Sequence, residues 1–198
     1  MAQKKSFHLY KEAKRLGSYD EYPMVPAETD MQLHLSRNTE PQPFYLICDG
    51  DTVHTQMSGK GSIQFNSDTV KRYPLARGDV IYIPAGTPHR FIPTEESIVM
   101  RAKAQFPKLE GVAWCCERCG AEVQRHVWNA REKLCQEGYL EACTAFNADE
   151  AARRCPSCGE AHETVDIGWN RWAKLAGELR ENGVSPDPLQ QARHEVEA

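Results

Sequence analysis

Four cysteines in two C-x-x-C pairs, Cys116/Cys119 and Cys155/Cys158, constrain this chain more than any other feature. One ion takes four thiolates only if the two pairs converge, so the spacing predicts that residues 120–154 loop out and return. Each pair is followed by a glycine, Gly120 and Gly159, where a tight turn calls for positive φ. Backbone N–H groups in such turns offset thiolate charge. Four thiolates leave no open coordination position. The expected site is therefore structural with zinc, and structural or electron-transferring with iron, and substrate is not expected there. The remaining cysteines, Cys48, Cys115, Cys135 and Cys143, read as small buried hydrophobes.

A chain of 198 residues is long enough for one main core and a satellite. Charged residues make up 26% and the net charge is only -4, with no basic block, which excludes a general nucleic-acid role and favours a small-molecule substrate. The opening MAQKKSFHLYKEAKRLGS is charged, helical in pattern and without an apolar centre, so it does not read as a secretory signal. No apolar run has the length of a membrane span, and a cytoplasmic location is expected.

Residues 1–22 read as a helix or arm, ended by Pro23 and Pro26. From 31 to 104 the period changes to two: MQLHLSR, PFYLIC, TVHTQMSG, GSIQFN, DVIYIP and SIVMRAKAQF are punctuated by DG, SGKG, NSD, ARGD and PAG turns. Such spacing predicts an antiparallel sandwich or small barrel. Beyond Trp114, EVQRHVW alternates like a strand and REKLCQEGYLEACTAF is helical in period. Asn147 and Glu150 suggest a capping box that opens a second short helix. In 168–181, Trp169, Trp172, Leu175 and Leu179 share one helix face, expected to pack on the barrel or on a partner subunit. The tail after Gly183 is polar and expected to be loose.

The stretch GDVIYIPAGTPH, residues 78–89, has a glycine turn, an apolar strand, Pro-x-Gly and a histidine. It resembles the second cupin motif, and CDGDTVHTQMSGKG, residues 48–61, resembles the first. A small cupin followed by W-x-C-x-x-C-G and C-P-x-C-G is similar to 3-hydroxyanthranilate 3,4-dioxygenase of the bacterial type, over roughly residues 25–165. The resemblance implies a mainly β chain: a small cupin (double-stranded β-helix) barrel with a C-terminal four-cysteine knuckle, rubredoxin-like, and flanking helices. The expected units are 1–110, the barrel with its N-terminal arm; 111–167, the knuckle module; and 168–198, a helix and tail.

The family chemistry uses a histidine, a glutamate and a second histidine on one face of Fe(II), with open positions for a hydroxylated aromatic substrate and O2. Here the first histidine falls on Cys48, the glutamate on His54, and the second histidine on His89. An imidazole in place of a carboxylate raises the charge of the site by one. Asp49 or Asp51 would restore a two-histidine, one-carboxylate set with His54 and His89, and His34 is held in reserve. The D-G-D sequence also resembles a metal-free turn in the barrel half of homogentisate dioxygenase-like proteins, in which the aspartates only shape the chain. The pocket differs from the family at Phe44, Pro93 and Arg101, which replace two arginines and a glutamate. Arg101 and Arg90 are candidates to grip a differently placed carboxylate or phenolate. Tyr45, Phe65, Tyr82 and Phe91 are expected to fill the barrel.

Two functions follow from these residues. One is a non-haem metal dioxygenase, with Fe(II) in the barrel, acting on a small hydroxylated or aminated aromatic acid and O2, with His54, His89, Asp49 and Arg101 as catalytic residues. The other is a metal-free or zinc cupin that binds an aromatic metabolite without oxidising it. The resemblance also implies a possible homodimer.

Overall fold

The computed structural model describes residues 6–26, 29, 31–66, 71–104 and 109–186. The expected NSD turn beyond residue 66 and most of the polar tail lie outside them. A short helix α1, Leu9–Ala13, precedes β1, Tyr22–Pro23. Then follow β2 (Met31–Asn38), β3 (Tyr45–Cys48), β4 (Thr52–Ser58), β5 (Gly61–Phe65), β6 (Arg72–Leu75), β7 (Val80–Ile83), β8 (His89–Pro93) and β9 (Ser97–Ala104). The chain continues through β10 (Leu109–Cys115), β11 (Glu122–Asn129), α2 (Cys135–Ala148) and α3 (Trp172–Glu181).

The period-two segments pair into two antiparallel sheets, β1-β2-β9-β4-β7 and β11-β10-β3-β8-β5-β6. This is the mainly β cupin arrangement expected from the motifs, with sheets that face one another without closing. The boundary expected after residue 110 falls inside β10, which pairs with both β3 and β11. Barrel and knuckle module therefore share one sheet.

The two inner faces differ sharply in character. On the second sheet, Leu46, Ile63, Phe65, Phe91 and Val112 build an apolar core, joined by the buried polar His89 and Glu110. On the first sheet, the buried positions include Gln32, His34, Ser36, Asn38, Ser97, Arg101, Thr52, His54 and Gln56, with Val99 and Ile83 the apolar members among them. Burying polar groups is costly unless each finds a partner, so this face is held by bonds as well as by packing. Gln56 Nε2 donates to Ser58 O and Ser97 Oγ, both at 2.8 Å.

The helices pack on this arrangement, α1 against β2, α2 against β10 and β11, and α3 against α2. Trp172, 0% exposed, packs against Tyr139 of α2 and Phe44, and its indole Nε1 donates to Tyr19 O at 3.0 Å. The α3 face that sequence offered to barrel or partner is thus covered within the chain. No helix forms from Asn147. α2 runs through Ala148, so Asn147 lies in its last turn and its side chain bridges to both N and O of Val165. Tyr82 departs from expectation too: it is 58% exposed, because the alternation of β7 turns it outward.

Candidate functional site

The knuckle forms where two similar turns meet. Gly120 N donates to Cys116 O and Gly159 N to Cys155 O, at 2.8 and 2.9 Å, and both glycines have positive φ. Cys116 Sγ lies 3.6 Å from Cys158 Sγ, and Cys119 Sγ 3.5 Å from Cys155 Sγ, all four within 4.8 Å of one another. A tetrahedron with metal–sulfur bonds of about 2.3 Å has sulfur–sulfur edges of roughly 3.7 Å, close to both of these distances, so the cluster suits one ion. Backbone N–H groups, first that of Cys158 and then that of Ser157, bring the Cys155 thiol down to about 7. The donor set suits zinc or iron and would serve as a closed, stabilising site.

The barrel centre is built by register. His34 of β2, Arg101 of β9 and His54 of β4 are direct cross-strand partners, forming one row on the polar inner face. His54 reaches the opposite sheet, its ring 5.0 Å from that of Phe91 on the same strand as His89. His54 Nε2 lies 3.4 Å from Gln56 Oε1, and His89 Nδ1 bonds Thr87 O at 2.9 Å. Burial draws His54 down to about 3 and His89 to about 4, with the Arg101 charge adding to both, so both rings are neutral at pH 7. His34 is driven well down by burial and by the charges of Lys103 and Arg101.

Among the described residues, no carboxylate bonds these rings. Asp49 Oδ2 accepts from Leu109 N at 2.9 Å and Asp51 Oδ1 from Ala85 N at 3.0 Å, so D-G-D clasps the strand end. This is the turn role that sequence offered as the alternative. Cys48, at the family's first-histidine position, has its thiol pushed up by burial and lies 3.6 Å from Arg101 Nη1. Among the described residues, only the four cysteines gather three or more possible donors within 4.8 Å. Among the described residues the barrel therefore does not fit the iron set of the family: neutral imidazoles are present, but no carboxylate is gathered with them, and the cationic Arg101 is the middle residue of the row.

Sequence reading missed the partners of that guanidinium. Arg101 Nε and Nη2 both lie 2.9 Å from Glu21 Oε2. One row along, Lys103 pairs with Glu110, whose side chain is 1% exposed. The buried centre thus contains two cations and two carboxylates, with neutral histidines. Glu21 carried no motif; only its position ahead of the first long strand hinted at a role. Arg90 stays at the rim, bonded to Gln64 and Glu117 and stacked over Tyr45.

Fold and sites together define a cupin with a four-cysteine knuckle. The proteins to which it is similar are 3-hydroxyanthranilate 3,4-dioxygenases. That of Cupriavidus pinatubonensis is 30% identical over 105 residues, 51% of this chain and 55% of the relative. That of Neosartorya fischeri is 28% identical over 142 residues, 70% of this chain and 67% of the relative. The match thus spans little more than half the length of the Cupriavidus protein. A cupin-2 domain protein from Shewanella frigidimarina is 28% identical, with a TM-score of 0.36, covering 41% of this chain and 78% of that one. No protein-family profile matches the chain. The resemblance read from the motifs is borne out by these relatives. Among the described residues, no helix is long and apolar enough to cross a membrane.

Proposed function

We propose that this chain is a dioxygenase-related cupin that binds a small hydroxylated or aminated aromatic acid between its sheets without the family's iron set. The observation that carries this reading is the row His34–Arg101–His54, in which buried Arg101 is the cross-strand partner of both histidines and its charge adds to burial in lowering the pKa of each. An added divalent ion would place two further positive charges in a centre whose charges are already balanced, with no anionic ligand to offset them. The aromatic-acid class is supported by the relatives, which bear the name of an enzyme for such a substrate. Phe91, its ring 5.0 Å from that of His54, gives this part of the barrel an aromatic wall.

A second reading, iron-dependent dioxygenation at His54 and His89, draws on two observations. Both rings are held neutral, the form that ligates metal, and the relatives are named as dioxygenases. One experiment separates the two readings: metal content and O2 uptake of iron-loaded protein, measured with hydroxy- and aminobenzoates alongside a His54→Ala/His89→Ala variant. One ion per chain in both proteins, with aromatic-acid binding but no O2 uptake, supports the first reading. A second ion lost in the variant, together with O2 uptake by the wild type, establishes the other.

A further inference from the structure

Tyr19 and Glu21, with φ of 53° and 48°, are the non-glycine residues of positive φ among those described. Both belong to one buried segment laid against the barrel. Residues with side chains rarely adopt this conformation unless their surroundings impose it. Here Tyr19 N donates to Asn38 Oδ1 and Glu21 N to Ser36 Oγ, each at 2.9 Å. Gln136 Nε2 holds the carbonyls of Asp20 and Glu21 from α2, at 2.7 and 3.1 Å. The result of this bracing is that Glu21 is aimed at Arg101.

That contact leaves the guanidinium only partly used. One carboxylate oxygen, Glu21 Oε2, serves both Nε and Nη2, while Nη1 faces a thiol at 3.6 Å and Nη2 a phenol at 3.5 Å. A guanidinium can grip two oxygens of one carboxylate in a planar fork. On the elements that meet Arg101 and Glu21, buried polar atoms stand unserved. His34 Nδ1, on the strand next to Arg101, has no hydrogen-bond partner, and neither has Gln136 Oε1. Buried polar atoms are nearly always satisfied in a folded protein, so unserved ones beside a half-used guanidinium's neighbours point to a polar occupant.

We propose that Arg101 is the carboxylate-binding group for a small organic acid, and that Glu21 is an internal carboxylate which this acid displaces. The inference rests on the aromatic-acid reading above and gives that ligand its orientation: carboxylate on Arg101, ring towards His54 and Phe91. Replacing one carboxylate by another leaves the guanidinium paired, so the buried charge is never stranded. Release of a strained segment offsets part of the cost of moving Glu21.

The test is titration calorimetry of the full, metal-loaded chain with benzoate and with cyclohexanecarboxylate. Glu21→Gln is expected to bind benzoate about tenfold or more tighter than wild type, since the competing charge is gone and a charge-assisted pair forms in its place. Adding Arg101→Gln is expected to abolish that gain. A folded Glu21→Gln variant with wild-type affinity, or a gain that survives Arg101→Gln, overturns the proposal. Should Glu21→Gln not fold, Ser36→Ala loosens the segment while keeping the ion pair. It is expected to bind benzoate a few-fold tighter, and unchanged affinity counts against the proposal. Cyclohexanecarboxylate gaining as much as benzoate keeps Arg101 as the carboxylate site and rejects the aromatic reading. Benzoate binding equally to every variant does the reverse.

Discussion

Arg101 and Glu21 meet at 2.9 Å although 80 positions separate them in sequence. The pair joins an N-terminal segment to the innermost strand of the polar sheet, so the arm is part of the barrel's interior. With the Lys103–Glu110 pair beside it, this contact makes the centre ionic yet balanced, and stability should depend on that balance.

Lys103→Met is expected to destabilise the chain by about 3–5 kcal/mol, because it strands the buried carboxylate of Glu110. Lys103→Met combined with Glu110→Leu should come within about 1–2 kcal/mol of wild type, since both charges leave together. Urea unfolding of the two single variants and the double variant closes the cycle. Additive losses would show that the two side chains do not act as a pair.

Stability should fall on acidification below the ordinary histidine value of 6.5. His34, His54 and His89 all have depressed values in the folded chain, His54 at about 3 and His89 at about 4. The unfolded chain therefore binds protons that the folded chain refuses, and stability is complete above the unfolded value and lost as pH falls towards the folded ones. The slope is about 1.4 kcal/mol per pH unit for each histidine. Unfolding free energies at pH 7 and pH 5 check this, and His54→Gln/His89→Gln should flatten the profile.

Cys155→Ser should release the knuckle ion and lower the melting temperature by about 10 °C or more, because a structural metal contributes folding free energy. Benzoate affinity of the surviving fold should not change, since the knuckle and the Arg101 row are separate sites. Loss of binding with the melting temperature intact would place the knuckle in the chemistry.

Two glycines should respond in opposite directions to alanine. A Cβ on Gly138 would lie 2.3 Å from the Trp128 ring, so Gly138→Ala is expected to cost about 1–3 kcal/mol. At Gly177 in α3 nothing lies within 4 Å, and Gly177→Ala should stabilise the helix by about 0.5–1 kcal/mol. Thermal melts of the two variants should shift to opposite sides of wild type.

Six of the strands from Met31 to Ala104 were legible because alternation is a local property of the pleat and turn glycines punctuate it, whereas β6 and β8, each carrying a proline in a short run, were not read as strands. The helix at 135–148 was legible for the same reason, while its end was not, since Asn147 found a partner in Val165 that no local pattern announces. Tyr82 and Tyr45 look alike in sequence, yet one is 58% exposed and the other 4%, because strand position in the sheet decides which faces are covered. Asp49 and Asp51 had two readings in sequence, as ligands or as turn residues; the approach of Leu109 and Ala85 engages both in the turn.

By itself the sequence determined the short alternating strands, the paired cysteines and the resemblance they carry, all written in spacings of a few residues. Only the tertiary structure decided that Glu21 would face Arg101, that Trp172 would be sealed inside, and that the two histidines would lie beside a guanidinium. The physical reason is that period and turn chemistry act between near neighbours, whereas a buried charge takes whichever partner the completed fold brings within reach.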